Sequence, residues 1–271
     1  MKYLLIMAFL VPRCYAGGVL PVNGARSYAR GGCSVTESDI WSVSNNQAAI
    51  VFIKKPAVAF FYRNRFNVEG TANQNITAAI PYGIYAFGGS LSYYGNSDYH
   101  EQKIAFSMSA KPDKNFSFGL SGNYNSVFIK DYGSWGVVTV DGGMLAKLSP
   151  KVTAGFHVLN LLRGTLKNSS AQPLPVIYKC GIGYRPSTKL LVATEVKIID
   201  GKSCVCSGIE YLPATNLSIM AGISTLQPQF SFGVGFTGKN YRIDVSSVIH
   251  QYLGVSHQVS LVFEIVKKTS K

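Results

Sequence analysis

The residues that could do chemistry are few and widely spaced. The chain carries 13 acids and four histidines, His100, His157, His250 and His257. No His-Glu-x-x-His, Gly-x-Ser-x-Gly or phosphate-binding loop is present. Ser256 and His257 are neighbours, so on a strand they point to opposite faces and cannot act on one another. Four cysteines follow residue 16: Cys33, Cys180, Cys204 and Cys206. Cys204 and Cys206 share one face of a strand, but two further ligands at zinc-site spacing are missing, and small residues filling a wall are the simpler reading. The expectation is a non-enzyme with no metal and no cofactor.

What organises the chain is period-two alternation. In Asn115–Tyr124 one face reads Phe116, Phe118, Leu120, Gly122, Tyr124 and the other Ser117, Gly119, Ser121, Asn123. Ile104, Phe106 and Met108 oppose Lys103, Ala105, Ser107 and Ser109, and Phe230, Phe232, Val234 and Phe236 oppose Ser231, Gly233, Gly235 and Thr237. Such strands present an apolar face to lipid and a polar face to a lumen. About fourteen segments of this kind follow one another: 56–67, 71–81, 83–95, 98–110, 115–130, 134–149, 151–162, 174–186, 188–199, 202–213, 214–225, 228–238, 239–250 and 253–266. Turns are expected at Lys111-Pro112-Asp113-Lys114, Ser149-Pro150-Lys151, Arg185-Pro186-Ser187 and Asp200-Gly201. A soluble sandwich or a propeller would want polar residues on the outer faces, where this chain has Phe, Tyr, Val and Ile.

Composition agrees. The chain is 47% hydrophobic and 14% charged, with 16 Tyr, 15 Phe and 27 Gly, against ~25% charged residues in soluble domains. Beyond its start, no run reaches the ~18 apolar residues of a membrane helix. Lys2, the apolar Tyr3–Pro12 and the small-x-small Cys14-Tyr15-Ala16 read as a cleaved signal peptide over residues 1–16, which implies export. Its removal lowers the formal charge from +13 to about +11. The bases are scattered rather than striped, so a nucleic-acid partner is not expected; anionic lipid headgroups or an anion-attracting lumen suit them better.

Strand phase turns Lys103, Lys147, Lys179, Arg185, Lys189, Lys197, Lys202 and Arg242 inward, with Asp141, Glu195, Glu210, Asp244 and Glu264. These charges either favour an anionic or amphipathic molecule in the lumen or form cross-strand ion pairs that fill it. Residues 17–55 differ, being small-residue-rich without strict alternation. They form either a plug folded into the lumen or a short periplasmic extension.

Gly24-Ala25-Arg26, Gly31-Gly32, Trp41 and Asn45-Asn46-Gln47-Ala48-Ala49 resemble the start of FadL-like barrels, in particular the PorV/PorQ group associated with type IX secretion in Bacteroidetes. Val140–Lys147, Gly155–Asn160 and Leu253–His257 are similar to central and last strands of that group. The resemblance implies an all-β, closed antiparallel transmembrane barrel of about 14 strands over residues 56–271, in a bacterial outer membrane. It implies a small N-terminal hatch over 17–55 containing Gly24, Ala25, Arg26, Gly31, Gly32, Trp41, Asn45 and Asn46. Gln47 and Ala49 stand where the group has proline and a second glycine. The implied role is an accessory of type IX secretion, with other secretion components as partners beside outer-membrane lipid and lipopolysaccharide. The alternative is a FadL-like passive channel for hydrophobic or amphipathic molecules such as fatty acids, with a lipid-like ligand.

The barrel reading predicts heat-modifiable migration on gels and recovery in the outer-membrane fraction; a main species that is periplasmic and soluble would refute it.

Overall fold

The computed structural model describes residues 22–166, 172–225 and 228–266. The expected signal segment and residues 17–21 lie outside them. Strands β1 (Ala57–Asn64), β2 (Ala72–Tyr82), β3 (Tyr85–Gly95), β4 (Tyr99–Ala110), β5 (Phe116–Ile129), β6 (Gly133–Lys147) and β7 (Val152–Leu159) follow in order. After a two-residue ladder, β8 (Thr165–Leu166) with β9 (Gln172–Pro173), come β10 (Ile177–Ser187), β11 (Leu190–Ile199), β12 (Lys202–Ala214), β13 (Leu217–Ser224), β14 (Gln229–Thr237), β15 (Tyr241–His250) and β16 (Gly254–Glu264). All but β8 and β9 join one closed antiparallel barrel of fourteen strands. It closes where β1 pairs β16, from Ala57 opposite Glu264 to Asn64 opposite His257.

The alternation survives in three dimensions. From Phe116 to Tyr124 of β5 exposure alternates residue by residue, with Phe116, Phe118, Leu120 and Tyr124 outside and Ser117, Ser121 and Asn123 buried inside. The same holds in β14, where Phe230, Phe232, Val234 and Phe236 form part of an outer apolar belt. Among the described residues no helix is long and apolar enough to cross a membrane.

Each expected segment contains one strand, and the differences have local causes. The expected 56–67 stops at Asn64 because Phe66 and Asn67 take positive φ (56° and 54°), which ends the extended run. The turn expected at Arg185–Ser187 falls instead at Thr188-Lys189. Pro186 stays in β10, where the register with β11 shifts between Tyr184 and Ser187. A proline cannot donate to a ladder, and the irregularity absorbs the missing bond. Asp200-Gly201 forms the expected tight turn, with φ of 48° and 78°, the left-handed pair a two-residue hairpin requires.

The chain enters β1 and leaves β16 at one end of the barrel, the near end, where the connections are the short ones at 83–84, 111–115, 148–151, 188–189, 215–216 and 238–240. The opposite, far end carries the seven-residue connection 65–71 and the long one between Leu159 and Ile177.

The outer belt makes a prediction. Phe232 lies mid-strand in β14 and is 53% exposed. Phe232→Arg should cost about 2–4 kcal/mol of folding free energy in lipid vesicles if that face meets hydrocarbon. A denaturant titration showing no loss would mean that it does not.

Candidate functional site

The bore is filled by the chain's own start. Residues 22–55 lie inside the barrel as α1 (Ala25–Ala29), α2 (Ser42–Asn45) and a 3₁₀ segment, Gln47–Phe52. Helices this short do not persist alone, so the wall must hold them. Asn45 ties to Asn23 by two 2.9 Å bonds, its amide donating to the Asn23 carbonyl and its oxygen accepting from the Asn23 N–H. The Asn46 amide donates to the carbonyls of Val35 (2.6 Å) and of Met144 in β6 (3.2 Å), and its oxygen caps the 3₁₀ segment at the Ala48 N–H. Trp41 and Tyr28 both pack on Phe61 of β1, each with ring centres 5.9 Å away. Gln47, at the position where the family resemblance implies proline, holds His157 of β7 at 2.9 Å.

The inward glycines let the two layers meet. A Cβ at Gly208 of β12 or Gly222 of β13 would collide with the main chain of Arg30 and Gly31. The small inner face seen in the sequence is thus a mould for α1 and the turn after it.

Charge ties hatch to wall. Glu210 of β12 meets Arg26 (2.8 Å), Arg30 (3.4 Å) and, along the wall, Arg242 of β15 (3.4 Å). Arg26 also reaches Glu37 (3.4 Å) and Asp39 (3.5 Å), and Arg30 pairs with Glu37 at 2.6 Å. Arg242 is anchored by Asp244 at 2.8 Å. Burial alone would raise the Glu37 carboxyl, but Arg30 and Arg26 outweigh it and hold it below the ordinary range. For Asp39 burial wins, and its carboxyl is pushed up despite Arg26.

A second tie lies nearby. Glu195 of β11 accepts from the Ser34 and Val35 N–H groups (2.7 and 2.8 Å), and Lys197 donates to the Gly32 carbonyl at 2.8 Å. Cys33 and Cys206 pack against Ala193, Cys204 is buried, and Cys180 faces outward. Lys103 pairs with Asp141 at 3.1 Å, and Lys179 is fully buried.

Of the residues expected in the lumen, Lys103, Asp141, Lys179, Lys197, Arg242 and Asp244 face inward below the rims, as do Glu195 and Glu210. Lys147 and Arg185 are exposed near the near-end rim, at the ends of their strands, rather than deep in the bore. Lys147 stands over the Phe52 ring at 3.7 Å. Lys189 and Lys202 are exposed at turns, and Glu264 pairs with Lys55 at the near end. Lys103–Asp141 and Glu210–Arg242 are pairs between strands, whereas Arg242–Asp244 lies within β15 and Glu210 also meets Arg26 and Arg30 of the N-terminal segment. Every expected hatch residue lies in the bore: Gly24 against Trp41, Ala25 fully buried, Gly32 on Lys197. Arg30, Glu37 and Asp39 do not stand out in the sequence; the four-residue spacing of Arg26 and Arg30 is the signal it offers.

Between hatch and wall at the near end is a cavity of about 420 Å3, lined by Trp41, Phe52, Ile53 and Val262 together with Arg26 and Lys54. A smaller one of about 80 Å3 opens at the far end beside Asn73, Tyr94, Lys103 and Leu174. On the outer face the register brings Ser247 Oγ to 2.9 Å from His257 Nδ1, a pair that no sequence pattern reveals. Ser247 of β15 and His257 of β16 are register partners, so this is a cross-strand hydrogen bond.

No protein-family model matches the chain, and no curated protein matches it. Among solved structures it is similar to a Pseudomonas aeruginosa FadL homologue, at 12% identity over 92% of this chain and 100% of that one, with a TM-score of 0.69. It is similar to the Ralstonia pickettii toluene transporter TbuX, at 14% identity over 90% and 97%, TM-score 0.67. It is also similar to the Pseudomonas putida toluene transporter TodX, at 12% over 90% and 97%, TM-score 0.67. The likeness is one of fold, a FadL-like barrel. None of these three is a PorV or PorQ protein.

Glu210→Gln should release the hatch, because three guanidinium groups lose a shared buried counter-charge at a cost of about 3–5 kcal/mol. Amide exchange in residues 25–52 should accelerate while that of β3–β5 does not; unchanged hatch protection would refute the assignment. In the wild-type chain the lowered Glu37 carboxyl stabilises the hatch above the ordinary glutamate range, about pH 4. That contribution is lost as pH falls through the still lower folded value, so exchange should rise there.

Proposed function

We propose that the chain is an outer-membrane channel that admits hydrophobic or amphipathic small molecules such as fatty acids, with the N-terminal segment as its gate. The observation that carries this reading is the bore itself, stoppered by a hatch that packs on β1–β3 through an apolar cluster and is tied across the bore by ion pairs and main-chain hydrogen bonds. Beside it lies a cavity with an apolar floor at Trp41, Phe52, Ile53 and Val262 and charged groups of both signs around it, among them Arg26, Lys54, Asp39, Asp244 and Glu264. An apolar floor ringed by charged groups suits a molecule with a hydrocarbon body and a polar tip.

The solved neighbours support the reading, since two are described as toluene transporters. The two longest connections, 65–71 and that between Leu159 and Ile177, both lie at the far end, which suits an external side there and a periplasmic side at the near end. The expected signal peptide supports export. A type IX secretion accessory of the PorV/PorQ kind stands behind the channel reading. Its residues of resemblance, Gly24 to Asn46, serve contacts within this one chain, and most far-end connections, such as 96–98 and 130–132, are too short to grip a client.

The test is uptake. Cells making the full chain in a strain lacking its own fatty-acid channel should take up a fluorescent long-chain fatty acid faster than cells with an empty vector. Equal uptake would overturn the channel, and secretion components co-purifying from native membranes would favour the accessory role.

A further inference from the structure

Cys33, Cys180, Cys204 and Cys206 are free thiols in this structure, and the channel reading uses none of them. Cys180 is exposed, while Cys33 in the hatch and Cys204 and Cys206 of β12 are buried. The chain on both sides of Cys33 is tied to the wall. The Gly32 carbonyl accepts from Lys197 at 2.8 Å, and the Ser34 and Val35 N–H groups donate to Glu195 at 2.7 and 2.8 Å. Between these ties the Cys33 thiol donates to the Ala193 carbonyl at 3.6 Å.

Cys206 comes to the same place from the wall. It is the register partner of Glu195, and its thiol donates to the Glu195 carbonyl at 3.5 Å. Both cysteines pack on Ala193, and their two sulfurs lie within hydrogen-bonding reach of one another. The Lys197 ammonium stands beside both and supplies a positive charge where a sulfur would react. Cys204 is directed elsewhere: it is the partner of Lys197 in the register, and its sulfur lies 3.4 Å from Ser224 Oγ of β13.

Two thiols in contact, from segments far apart in the chain, have a different fate on the two sides of a cell membrane. A cytosolic pair stays reduced, whereas a pair exported to the periplasmic side meets oxidising conditions. The signal peptide expected over residues 1–16 and the outer-membrane barrel fold place this pair on the oxidising side.

We propose that Cys33 and Cys206 form a disulfide that fastens the hatch to β12 after export. The oxidant is a disulfide carrier, protein or small molecule. Both sulfurs are buried in the finished barrel, so exchange begins before the hatch docks. The Cys33 sulfur attacks the carrier disulfide, forming a mixed disulfide and releasing one carrier thiol. Docking brings up Cys206, whose sulfur attacks that of Cys33 and expels the second carrier thiol. Two cysteine thiols thus lose two protons and two electrons, and the carrier disulfide receives them as two thiols. The bond makes permanent the attachment that Glu195 and Lys197 set up at residues 32–35. It rests on export and not on what crosses the barrel, so it stands even where the uptake test removes the channel.

The experiment counts thiols in the full chain. Outer membranes are quenched with acid, the protein is unfolded in detergent, and its thiols are coupled to a maleimide–polyethylene glycol before and after reductant; each coupled thiol slows the band on a gel. Reductant should expose two further thiols in the wild type and in Cys204→Ala, and none in Cys33→Ala or Cys206→Ala. An equal count before and after reductant in the wild type would overturn the bridge, and that comparison requires no variant to fold. A gain of two that survives the loss of Cys33 or of Cys206 would overturn the pairing. In the folded barrel, amide exchange at residues 32–35 should be at least about tenfold slower in the bridged wild type than in the same chain refolded under reductant. Equal exchange in the two would overturn the fastening.

Discussion

In hydrocarbon a main-chain N–H or C=O has no water to turn to, and each one left unpaired costs several kcal/mol. A sheet meets that condition by closing on itself, and the seam between β1 and β16 is where this one does so. Much else follows from it. Closure makes every strand two-sided, with lipid requiring Phe, Val and Ile on one face while the other faces a bore. Fourteen strands enclose more space than their inward side chains can fill, which eight strands just manage. Here those side chains are mostly Ser, Gly, Ala and Asn, so the vacancy is larger still, and residues 22–55 occupy it.

The hatch is held in a way that differs from an ordinary core. On one side Ala25, Ile40, Trp41, Val43, Ile50 and Val51 pack with Ala57, Ala59, Phe61, Ala79 and Ala86 as an apolar core, while across the bore charge supplies the ties: Arg26 and Arg30 on Glu210, and main-chain N–H groups of Ser34 and Val35 on Glu195. Buried pairs add little net stability over apolar packing, yet they are sharply directional. They hold one arrangement and tolerate few others. A water-lined bore can also solvate both members of a pair when they part, which an interlocked apolar core cannot match. A plug that packs on one side of the wall and is tied through charges on the other is compatible with the opening that a channel would require.

The two ends of the bore are chemically unlike. At the near end, cationic groups around the cavity have carboxylates close by, as with Arg242 on Asp244 and Lys55 on Glu264. Toward the far end, Arg63 and Arg65 have none among the described residues. This asymmetry arises from cross-strand register, since it depends on Arg63 facing Gln258 and Asn73 rather than an acid.

Most of the wall is legible in the amino-acid sequence. Period-two alternation in segments such as 115–130 identifies strands and their lipid-facing side, because the pleat has a period of two and lipid rejects polar side chains. Asp200-Gly201 identifies its own turn, because few residues accept two consecutive positive φ angles. Pro186 has the signature of a turn and lies in a strand, because a proline at a register irregularity loses nothing by lacking its N–H. The hatch is visible in the sequence only as a break in the alternation, which leaves plug and extension both open. Its attachment is not visible there at all. Arg26 and Glu210 are 184 residues apart, and no local pattern links them. Their meeting, like that of Ser247 with His257 and of Arg63 with Gln258, depends on the angle at which each strand joins a closed cylinder. Side-chain period is a property of the chain, and the sequence determines it alone; cross-bore partnership is a property of closure, and only the tertiary structure decides it.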